Sequence, residues 1–261
     1  MTILVRDVVD QLIKPAQKLE PTVDRLIAGN EQVPIKGMAT TFIATQHVIQ
    51  QAIDLGVNLL ITHEGIYYRH HEQWLNDPVY EEKKCLIKNA DIAIFRFHDY
   101  VHLYKPDGIM AGLLYKLNWK AYVEKHCDIV SVLSLPAISL DEMTQYIKAR
   151  LNLSYVRVVG DLSMMCERVG LLVGYRGGGD LAIPLFQQNQ LDVMIIGEGP
   201  EWETPEYVRD AVQQGRGKAL IVLGHAESEK HGMEYIAIKL QMLYPNIPVH
   251  FIDDKPVFQF V

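Results

Sequence analysis

The sequence predicts an α/β protein made of two similar three-layer α/β halves, related by a pseudo-twofold axis through an internal duplication. Apolar runs of strand length alternate with segments of helical periodicity along the chain. Several of these runs end directly in histidine or glutamate, and two stretches of the first half align with two stretches of the second. We place the boundary between residues 1–125 and 126–261, and we allow the halves to interdigitate.

Composition limits the class of protein. The 261 residues suffice for two domains of about 130 residues each. A net charge of −7 and a pI near 5.8 argue against a general nucleic-acid binder. No apolar run approaches the ~18 residues of a membrane span, and no signal-peptide pattern opens the chain. The widely spaced Cys85, Cys127 and Cys166, without a CxxC motif, predict a reducing compartment, and we expect a cytoplasmic protein.

The first half is expected to contain a parallel sheet with helical crossovers. Thr45 is a plausible N-cap, and Gly56 is a plausible end for the helix that Thr45 opens. The predicted elements are a helix over 2–14, a mostly irregular segment with a short helix near 21–28, a strand over 36–44, a helix over 45–56, a strand over 57–62, a loop over 66–77, a helix over 79–89, a strand over 91–97 and a helix over 108–120.

The second half repeats the alternation of helix and strand. Asp141 is expected to open its first helix, and the glycines at 177–179 are expected to form a tight turn. The predicted elements are a helix over 141–151, a strand over 168–175, a helix over 181–189, a strand over 191–196, a helix over 204–214 and a strand over 218–223.

The repeat is visible at two pairs of strand ends. Residues 52–65 align with residues 185–199, and residues 91–102 align with residues 218–229. The alignment superposes the polar residues that follow these strands: Glu64 on Glu198, His98 on His225, and His102 on Glu229. A duplicated unit of this kind would bring the strand ends of both halves around one shared cleft.

These strand ends carry the residues that predict chemistry. Ligands in open α/β sheets bind beyond the carboxyl ends of the strands, and mixed nitrogen and oxygen ligands suit Zn, Fe, Mn, Co or Ni. So many ligands could hold two ions ~3.5–4 Å apart. The candidate metal ligands are His63, Glu64, His98, His102, His225 and Glu229, and the candidate catalytic carboxylates are Glu198 and Glu64.

Simpler interpretations stay open for each of these residues. A single histidine at a strand end is more often a hydrogen-bonded structural residue, and Glu198 could cap the following helix. The glycines at 177–179 lack the Lys-Ser/Thr of a phosphate-binding loop. The aromatic loop over 66–77, which includes Tyr67, Tyr68, His70, His71 and Trp74, could stack on a ring of a substrate.

The motifs at these positions resemble those of the NIF-three-like family, whose members are often called GTP cyclohydrolase I type 2. The matching segments, in the family order, are Thr62-His63-Glu64-Gly65, His98-Asp99-Tyr100-Val101-His102, Gly177-Gly178-Gly179, Ile196-Gly197-Glu198 and Gly224-His225-Ala226-Glu227-Ser228-Glu229. The resemblance implies two similar α/β halves, a two-metal site between them, and a toroidal homohexamer whose sites face an inner cavity.

The resemblance also implies which residues bind metal. His63, His98, His225 and Glu229 match ligands or near-ligands of the family. Glu64 stands where the family has its second histidine, and His102 stands where the family has aspartate.

Two functions of different class follow from these observations. The first is a metal-dependent hydrolase of a small molecule, such as a nucleotide or a heterocycle. The second is a non-catalytic hexameric scaffold in which metal ties the halves together. A third interpretation is an α/β protein whose histidines are structural.

Overall fold

The computed structural model describes residues 2–17, 19–69 and 77–259. The chain divides into two compact units: Met1–Gly108 together with Met233–Val261 form the first, and Ile109–Gly232 form the second. The predicted boundary at residue 125 therefore lies inside the second unit. The first unit is discontinuous because the chain returns to it after Gly232.

The first unit alternates helices and strands. Its elements are α1 (Val5–Ile13), β1 (Arg25–Ala28), β2 (Met38–Thr41), α2 (Gln46–Asp54), β3 (Leu59–Thr62), α3 (Pro78–Asn89), β4 (Ala93–Arg96), α4 (Asp99–His102) and, after the return of the chain, β11 (Val249–Phe251). The predicted N-cap is confirmed, because the Thr45 side chain accepts a hydrogen bond from the backbone N–H of Val48.

The sheet of the first unit has the strand order β1-β4-β3-β2-β11. Its strands are parallel except β1, which runs antiparallel to β4. All residues of β2, β3 and β4 are buried, as expected for interior strands of a mostly parallel sheet. The register pairs Thr62 with Arg96, so the residues after β3 and the residues after β4 leave the sheet side by side.

The second unit contains a larger sheet, and its last helix continues past the unit boundary. Its elements are α5 (Gly108–Leu117), a 3-10 turn (Lys120–Tyr122), β5 (Val123–His126), β6 (Ser131–Ser139), α6 (Leu140–Leu151), β7 (Arg157–Val159), β8 (Met165–Leu171), α7 (Gly179–Gln188), β9 (Val193–Ile196), α8 (Thr204–Gln213), β10 (Ala219–Val222) and α9 (His225–Leu243). The strand order is β5-β6-β8-β9-β10-β7.

The two sheets share a common arrangement. In the first unit three parallel strands in the order β2-β3-β4 are followed by the antiparallel edge strand β1, and in the second the parallel strands β8-β9-β10 are followed by the antiparallel edge strand β7. The chain visits these strands in the same sequence in both units. The predicted α/β class is thus confirmed, and the matched topology agrees with the predicted duplication.

The structure corrects several local predictions. The segment expected to hold a short helix near 21–28 instead forms β1, because Leu26 and its neighbours pair with β4. Ser139, not Asp141, caps α6, through a capping box with Glu142. The strands β5, β6, β7 and β11 were not predicted. The strands β7 and β11 pair with strands that are distant in sequence. The pairings of β6 with β5 and with β8 contain register shifts, which interrupt the regular alternation of a strand. Local periodicity in the sequence therefore does not show these four strands.

The predicted aromatic loop is only partly covered, because His70, His71 and Trp74 lie outside the described residues. Tyr67 is buried and its carbonyl accepts a hydrogen bond from the Tyr80 hydroxyl at 3.0 Å. The ring of Tyr67 is thus part of the core of the first unit and not a platform for a substrate. Among the helices of the described ranges, none combines the length and the apolar character needed to cross a membrane.

Candidate metal centre

Three histidines of the first unit form a compact group, which we call the histidine cluster: His63, His98 and His102. The ring centroids of His63 and His98 lie 4.6 Å apart, and those of His102 lie 5.1 and 5.2 Å from them. One ring nitrogen of each residue lies within 4.8 Å of the other two. The cluster therefore offers three nitrogen ligands to one ion.

His63 is positioned by the two central strands of its sheet. It follows β3 directly and is fully buried. Its Nδ1 donates a hydrogen bond to the carbonyl oxygen of Phe97 at 3.0 Å. Because a carbonyl only accepts, Nδ1 carries the proton in this contact, and Nε2 carries the lone pair.

His98 is the N-cap residue of the short helix α4, and His102 is the last residue of that helix. The Nδ1 of His98 donates to Oδ1 of Asp99 at 2.9 Å, and the Nδ1 of His102 donates to Oδ2 of Asp107 at 2.9 Å. Both imidazoles are thus oriented by carboxylates, which is the usual environment of histidines that bind metal through the other ring nitrogen.

Asp24 anchors the helix that carries these two histidines. Its Oδ1 accepts the backbone N–H groups of His98 and Asp99 at 2.8 and 2.7 Å, and its Oδ2 accepts that of Tyr100 at 2.9 Å. The first N–H groups of a helix have no partner within the helix, so this carboxylate replaces the missing acceptors. Asp24 precedes β1, so the edge strand fixes the start of α4.

The carboxylates around the cluster change its titration. Burial on its own would lower the pKa of His98, but the hydrogen bond to Asp99 and the nearby carboxylate of Glu64 outweigh burial and raise the pKa to about 9. The hydrogen bond from His98 is also the main cause that lowers the pKa of Asp99. Desolvation raises the pKa of Asp24. In the protein without metal, His98 is therefore an imidazolium between two carboxylates at neutral pH.

Glu64 lies beside the cluster and is paired with a buried arginine. Its Oε2 lies 3.2 Å from Nη2 of Arg96, and its Oε1 lies 3.6 Å from Nε2 of His98. The side chain of Arg96 is 3% exposed and that of Glu64 is 19% exposed. Glu64 can thus accept a proton or a cation at the edge of the cluster while its charge is balanced by Arg96.

The second unit repeats this construction at the end of its own central strands. The Nδ1 of His225 donates to Oε1 of Glu198 at 2.8 Å, and its Nε2 lies 3.1 Å from Oε2 of Glu229. Glu229 is 3% exposed, whereas Glu198 is 42% exposed. His225 and Glu229 share one face of α9, so the predicted spacing of four residues brings both ligands together.

Gly174 makes room for this second group. A Cβ at Gly174 would lie 2.2 Å from Oε1 of Glu229, and the residue has φ +61°. The backbone N–H of Gly174 donates to the hydroxyl of Ser228 at 2.9 Å. Glycine is therefore required here both by the conformation and by the buried carboxylate.

The glycine run at 177–179 leads into a helix and does not form the predicted tight turn, because Gly178 is the N-cap of α7 and Gly179 is its first residue. The backbone N–H of Gly179 at the start of α7 donates to Oε2 of Glu203 at 2.6 Å, and the carbonyl of Gly177 accepts a hydrogen bond from Thr204 at 2.8 Å. A carboxylate therefore occupies the position at the helix N-terminus where a phosphate-binding loop would receive its anion.

Within each unit the structure brings predicted site residues together. His63, Glu64, His98 and His102 meet in the first unit, and Glu198, His225 and Glu229 meet in the second. The carboxylates and the arginine that orient them were missed: Asp24, Arg96, Asp99 and Asp107. Asp99 and Asp107 stand within five residues of a predicted ligand, and that spacing was the available signal. The sequence offered no such signal for Asp24, because its hydrogen-bond partners are more than 70 residues away in sequence.

The donor set fits a divalent transition metal ion. In all four of these histidines Nδ1 donates to an oxygen, so Nε2 is the ligand nitrogen once any proton on it is lost. Imidazole nitrogens with carboxylate oxygens suit Zn, Fe, Mn, Co or Ni. The arrangement does not select among these metals.

One protein family and several curated relatives match this chain over most of its length. The family model described as Duf34/NIF3 (NGG1p interacting factor 3) matches residues 5–256. A GTP cyclohydrolase 1 type 2 homolog from Chlamydia pneumoniae is 25% identical over 242 residues, covering 89% of this chain and 90% of that protein. A protein of the same name from Vibrio cholerae is 24% identical over 232 residues, covering 87% and 88%.

Solved structures show the same fold. A Bacillus cereus protein related to NIF3 superposes with a TM-score of 0.80 at 15% identity, covering 100% of both chains. A hypothetical protein from Staphylococcus aureus superposes with a TM-score of 0.74 at 18% identity, also covering 100% of both. At this identity the likeness concerns the fold alone.

Proposed function

Because the chain belongs to the Duf34/NIF3 (NGG1p interacting factor 3) family, we propose that it binds a divalent transition metal ion through its histidine cluster and hydrolyses a small molecule there. The observation that carries the proposal is the orientation of the imidazoles. Each Nδ1 of the cluster donates to a carboxylate or to a carbonyl, which presents Nε2 as the ligand atom.

A bound ion of this kind supplies Lewis acidity and activates a water molecule near neutral pH. The chain supplies carboxylates for proton transfer. Glu64 has an oxygen 3.6 Å from Nε2 of His98, and Glu198 is partly exposed and accepts a hydrogen bond from His225. We assign both glutamates the role of holding and moving a proton, as the sequence predicts. His225 and Glu229 form the second candidate ligand group.

Metal analysis tests the binding part of the proposal. We expect protein purified without a chelator, or reconstituted from the chelated form, to hold at least one transition metal ion per chain. The variants His98→Ala and His102→Ala should lose most of it, because each removes one of three nitrogen ligands. The matched control is His47→Ala, which removes an exposed histidine of α2. Less than one ion per chain after reconstitution would reject the proposal.

An activity screen tests the hydrolase part. The reconstituted protein is assayed with nucleotides, phosphoesters and cyclic amides, and GTP is included because the relatives carry the name GTP cyclohydrolase 1 type 2 homolog. Turnover should disappear in Glu229→Ala. Turnover that survives this substitution, or that persists after chelation, would contradict a metal-dependent reaction.

A non-catalytic scaffold is the second candidate, and the burial of its ligands favours it. His63 is fully buried and Glu229 is 3% exposed, whereas catalytic metal sites keep an open coordination position. A metal-dependent rise in melting temperature without turnover of any substrate in the screen would support the scaffold. His98 and His102, with side chains 17% and 15% exposed, are the part of the cluster that a substrate can approach.

Three further predictions stay with this proposal. We propose a homohexamer, which sedimentation or light scattering of the purified protein would test. The predicted pair of ions held jointly by the two halves stays a prediction, and an anomalous-scattering map of a crystal would count and locate the ions. The predicted cytoplasmic location is tested by cell fractionation.

A further inference from the structure

Arg96 brings a permanent positive charge to the edge of the histidine cluster. It is the last residue of β4 and is 2% exposed. A guanidinium does not lose its proton in proteins, so a buried one needs an anionic partner. Its Nη2 lies 3.2 Å from Oε2 of Glu64. Gly65 permits this packing, because a Cβ there would lie 3.4 Å from Nη1 of Arg96 and 2.7 Å from the carbonyl oxygen of Arg69.

The two oxygens of Glu64 are held differently. Oε2 accepts from Arg96 and also from the backbone N–H of Gly65, which donates at 3.2 Å. Oε1 lies 3.6 Å from Nε2 of His98 and so faces the cluster. Two donors on one oxygen fix the rotation of the carboxylate and thereby the direction of the other oxygen.

We propose that Arg96 is a positioning residue of the metal site, which holds Oε2 of Glu64 so that Oε1 is presented to the ion bound by His63, His98 and His102. The inference rests on the proposed metal binding and adds a fourth, oxygen donor to it. With Glu64 bound to the ion, Glu198 is the carboxylate that holds and moves the proton. The proposal also explains why the buried guanidinium of Arg96 lies beside a group that binds cations, since its positive charge alone would repel the ion.

The direction in which removal of Arg96 changes the affinity for the ion distinguishes a positioning role from simple electrostatic repulsion. A positive charge near a metal ion repels it, so electrostatics on its own predicts that removal of Arg96 raises the affinity for the ion. Positioning predicts the opposite, because a carboxylate released from its donor no longer presents Oε1. Loss of a residue that hydrogen-bonds to a metal ligand typically lowers metal affinity ~10–100-fold.

A double-mutant cycle on the full chain tests the proposal. Zn²⁺ affinity is measured by competition with a chromophoric chelator for wild type, Arg96→Met, Glu64→Gln and the double variant. Co²⁺ absorption spectra of the four proteins report the donor set independently of any activity. We expect Arg96→Met to weaken Zn²⁺ binding ~10–100-fold when Glu64 is present and less than about 2-fold when Gln replaces it. We expect Arg96→Met to change the Co²⁺ spectrum in the same way as Glu64→Gln.

Two further variants serve as controls, so that a loss of Zn²⁺ affinity is not mistaken for misfolding. Arg96→Lys keeps the charge but offers a single point donor in place of the planar fork, so we expect an intermediate loss of affinity. Arg157→Met removes an arginine from the exposed pair with Glu201 and should leave Zn²⁺ binding unchanged. Circular dichroism establishes that each variant is folded.

The outcomes are distinct. Higher affinity in Arg96→Met, an equal loss in both backgrounds, or wild-type affinity and spectrum in Arg96→Lys would overturn the positioning role. If Arg96→Met does not fold, the comparison of Arg96→Lys with Glu64→Gln decides. A wild-type protein that binds no Zn²⁺ would instead refute the proposed function, before any variant is compared.

Discussion

At the scale of single residues, the hydrogen-bond partners of the imidazoles matter as much as the imidazoles themselves. Asp99 and Asp107 each accept a hydrogen bond from Nδ1 of a histidine, so Nε2 of His98 and of His102 is the nitrogen left to bind an ion. The same arrangement recurs at His225 with Glu198. A carboxylate partner raises the basicity of a ligand histidine and restricts its rotation, so these partners contribute to affinity without touching the ion.

The substitution Asp107→Asn should weaken Zn²⁺ binding ~10–100-fold, because the amide orients His102 less firmly than the carboxylate does. The measurement is competition with a chromophoric chelator. Asp54→Asn, which changes an exposed carboxylate of α2 that accepts from Gln50, is the matched control and should have no effect. Equal affinities of the Asp107 variant and wild type would show that His102 is not a ligand.

The stability of the metal-free protein should depend on pH through His98. Its folded-state pKa of about 9 lies above the ordinary value of ~6.5, so the native state binds this proton more tightly than the unfolded state. The resulting stabilisation is fully present below about pH 6.5 and is lost as the pH rises through about 9. The carboxyl of Asp99 has a lowered pKa, so its contribution is lost at acidic pH instead.

Urea unfolding with a chelator present tests this dependence. The free energy of unfolding of wild type should decrease between pH 7 and 10 more steeply than that of His98→Gln. The two proteins should converge at the alkaline end, where His98 is neutral in both the folded and the unfolded state. Parallel curves for the two proteins would refute the raised pKa.

At the scale of elements, the position of α4 depends on a residue that belongs to another part of the sheet. This helix is only four residues long, and a helix of one turn is not stable alone. Its first N–H groups are satisfied by the carboxylate of Asp24, which stands just before β1. The edge strand therefore holds two of the three histidines in place.

Asp24→Ala should lower the free energy of unfolding of the metal-free protein by about 2 kcal/mol, because it leaves three backbone N–H groups without their acceptor. It should also weaken metal binding, since His98 is the N-cap residue of α4 and His102 is its last residue. Asp24→Asn retains one carbonyl acceptor, so its free energy of unfolding, measured by chemical denaturation, should lie between those of wild type and Asp24→Ala. A change below about 0.5 kcal/mol in the alanine variant would show that α4 is held by other contacts.

At the scale of the whole molecule, the chain leaves the first unit and returns to it. The strand β11 pairs in parallel with β2, and Ile252 behind it is buried in the core of the first unit. The carboxylate of Asp254 accepts a hydrogen bond from Thr45 at 2.5 Å, and the hydroxyl of Thr40 donates to the carbonyl of Met233 at 2.7 Å. The C-terminal segment thus completes the sheet that carries the histidine cluster.

A division of the chain at residue 125 should therefore fail. The fragment 1–125 lacks β11 and leaves β2 as an unpaired edge, so we expect it to aggregate or to remain unfolded. The fragment 109–232 contains a complete sheet and its own core, and it should unfold cooperatively. Thermal melts followed by circular dichroism measure both, and cooperative melting of fragment 1–125 would contradict the discontinuous unit.

The sequence by itself determined the alternation of strands and helices and the candidate ligands that follow the central strands, and it indicated a duplication with which the two sheets agree. These follow from local patterns, because a buried parallel strand is a largely apolar run and the first candidate site residues follow it within three positions. The four-residue spacing of His98 and His102, and that of His225 and Glu229, was likewise readable, since one helical turn brings such residues to one face.

Only the tertiary structure decided the edge strand β1, the return of the chain through β11, and the partners of the histidines. Asp24 and Arg96 act on residues distant in the chain, and strand pairing at those distances leaves no periodic signal in the local sequence. A hydrogen bond or an ion pair selects its partner by geometry. Local patterns therefore indicate which residues can bind a cation, whereas the fold determines how each of them is oriented.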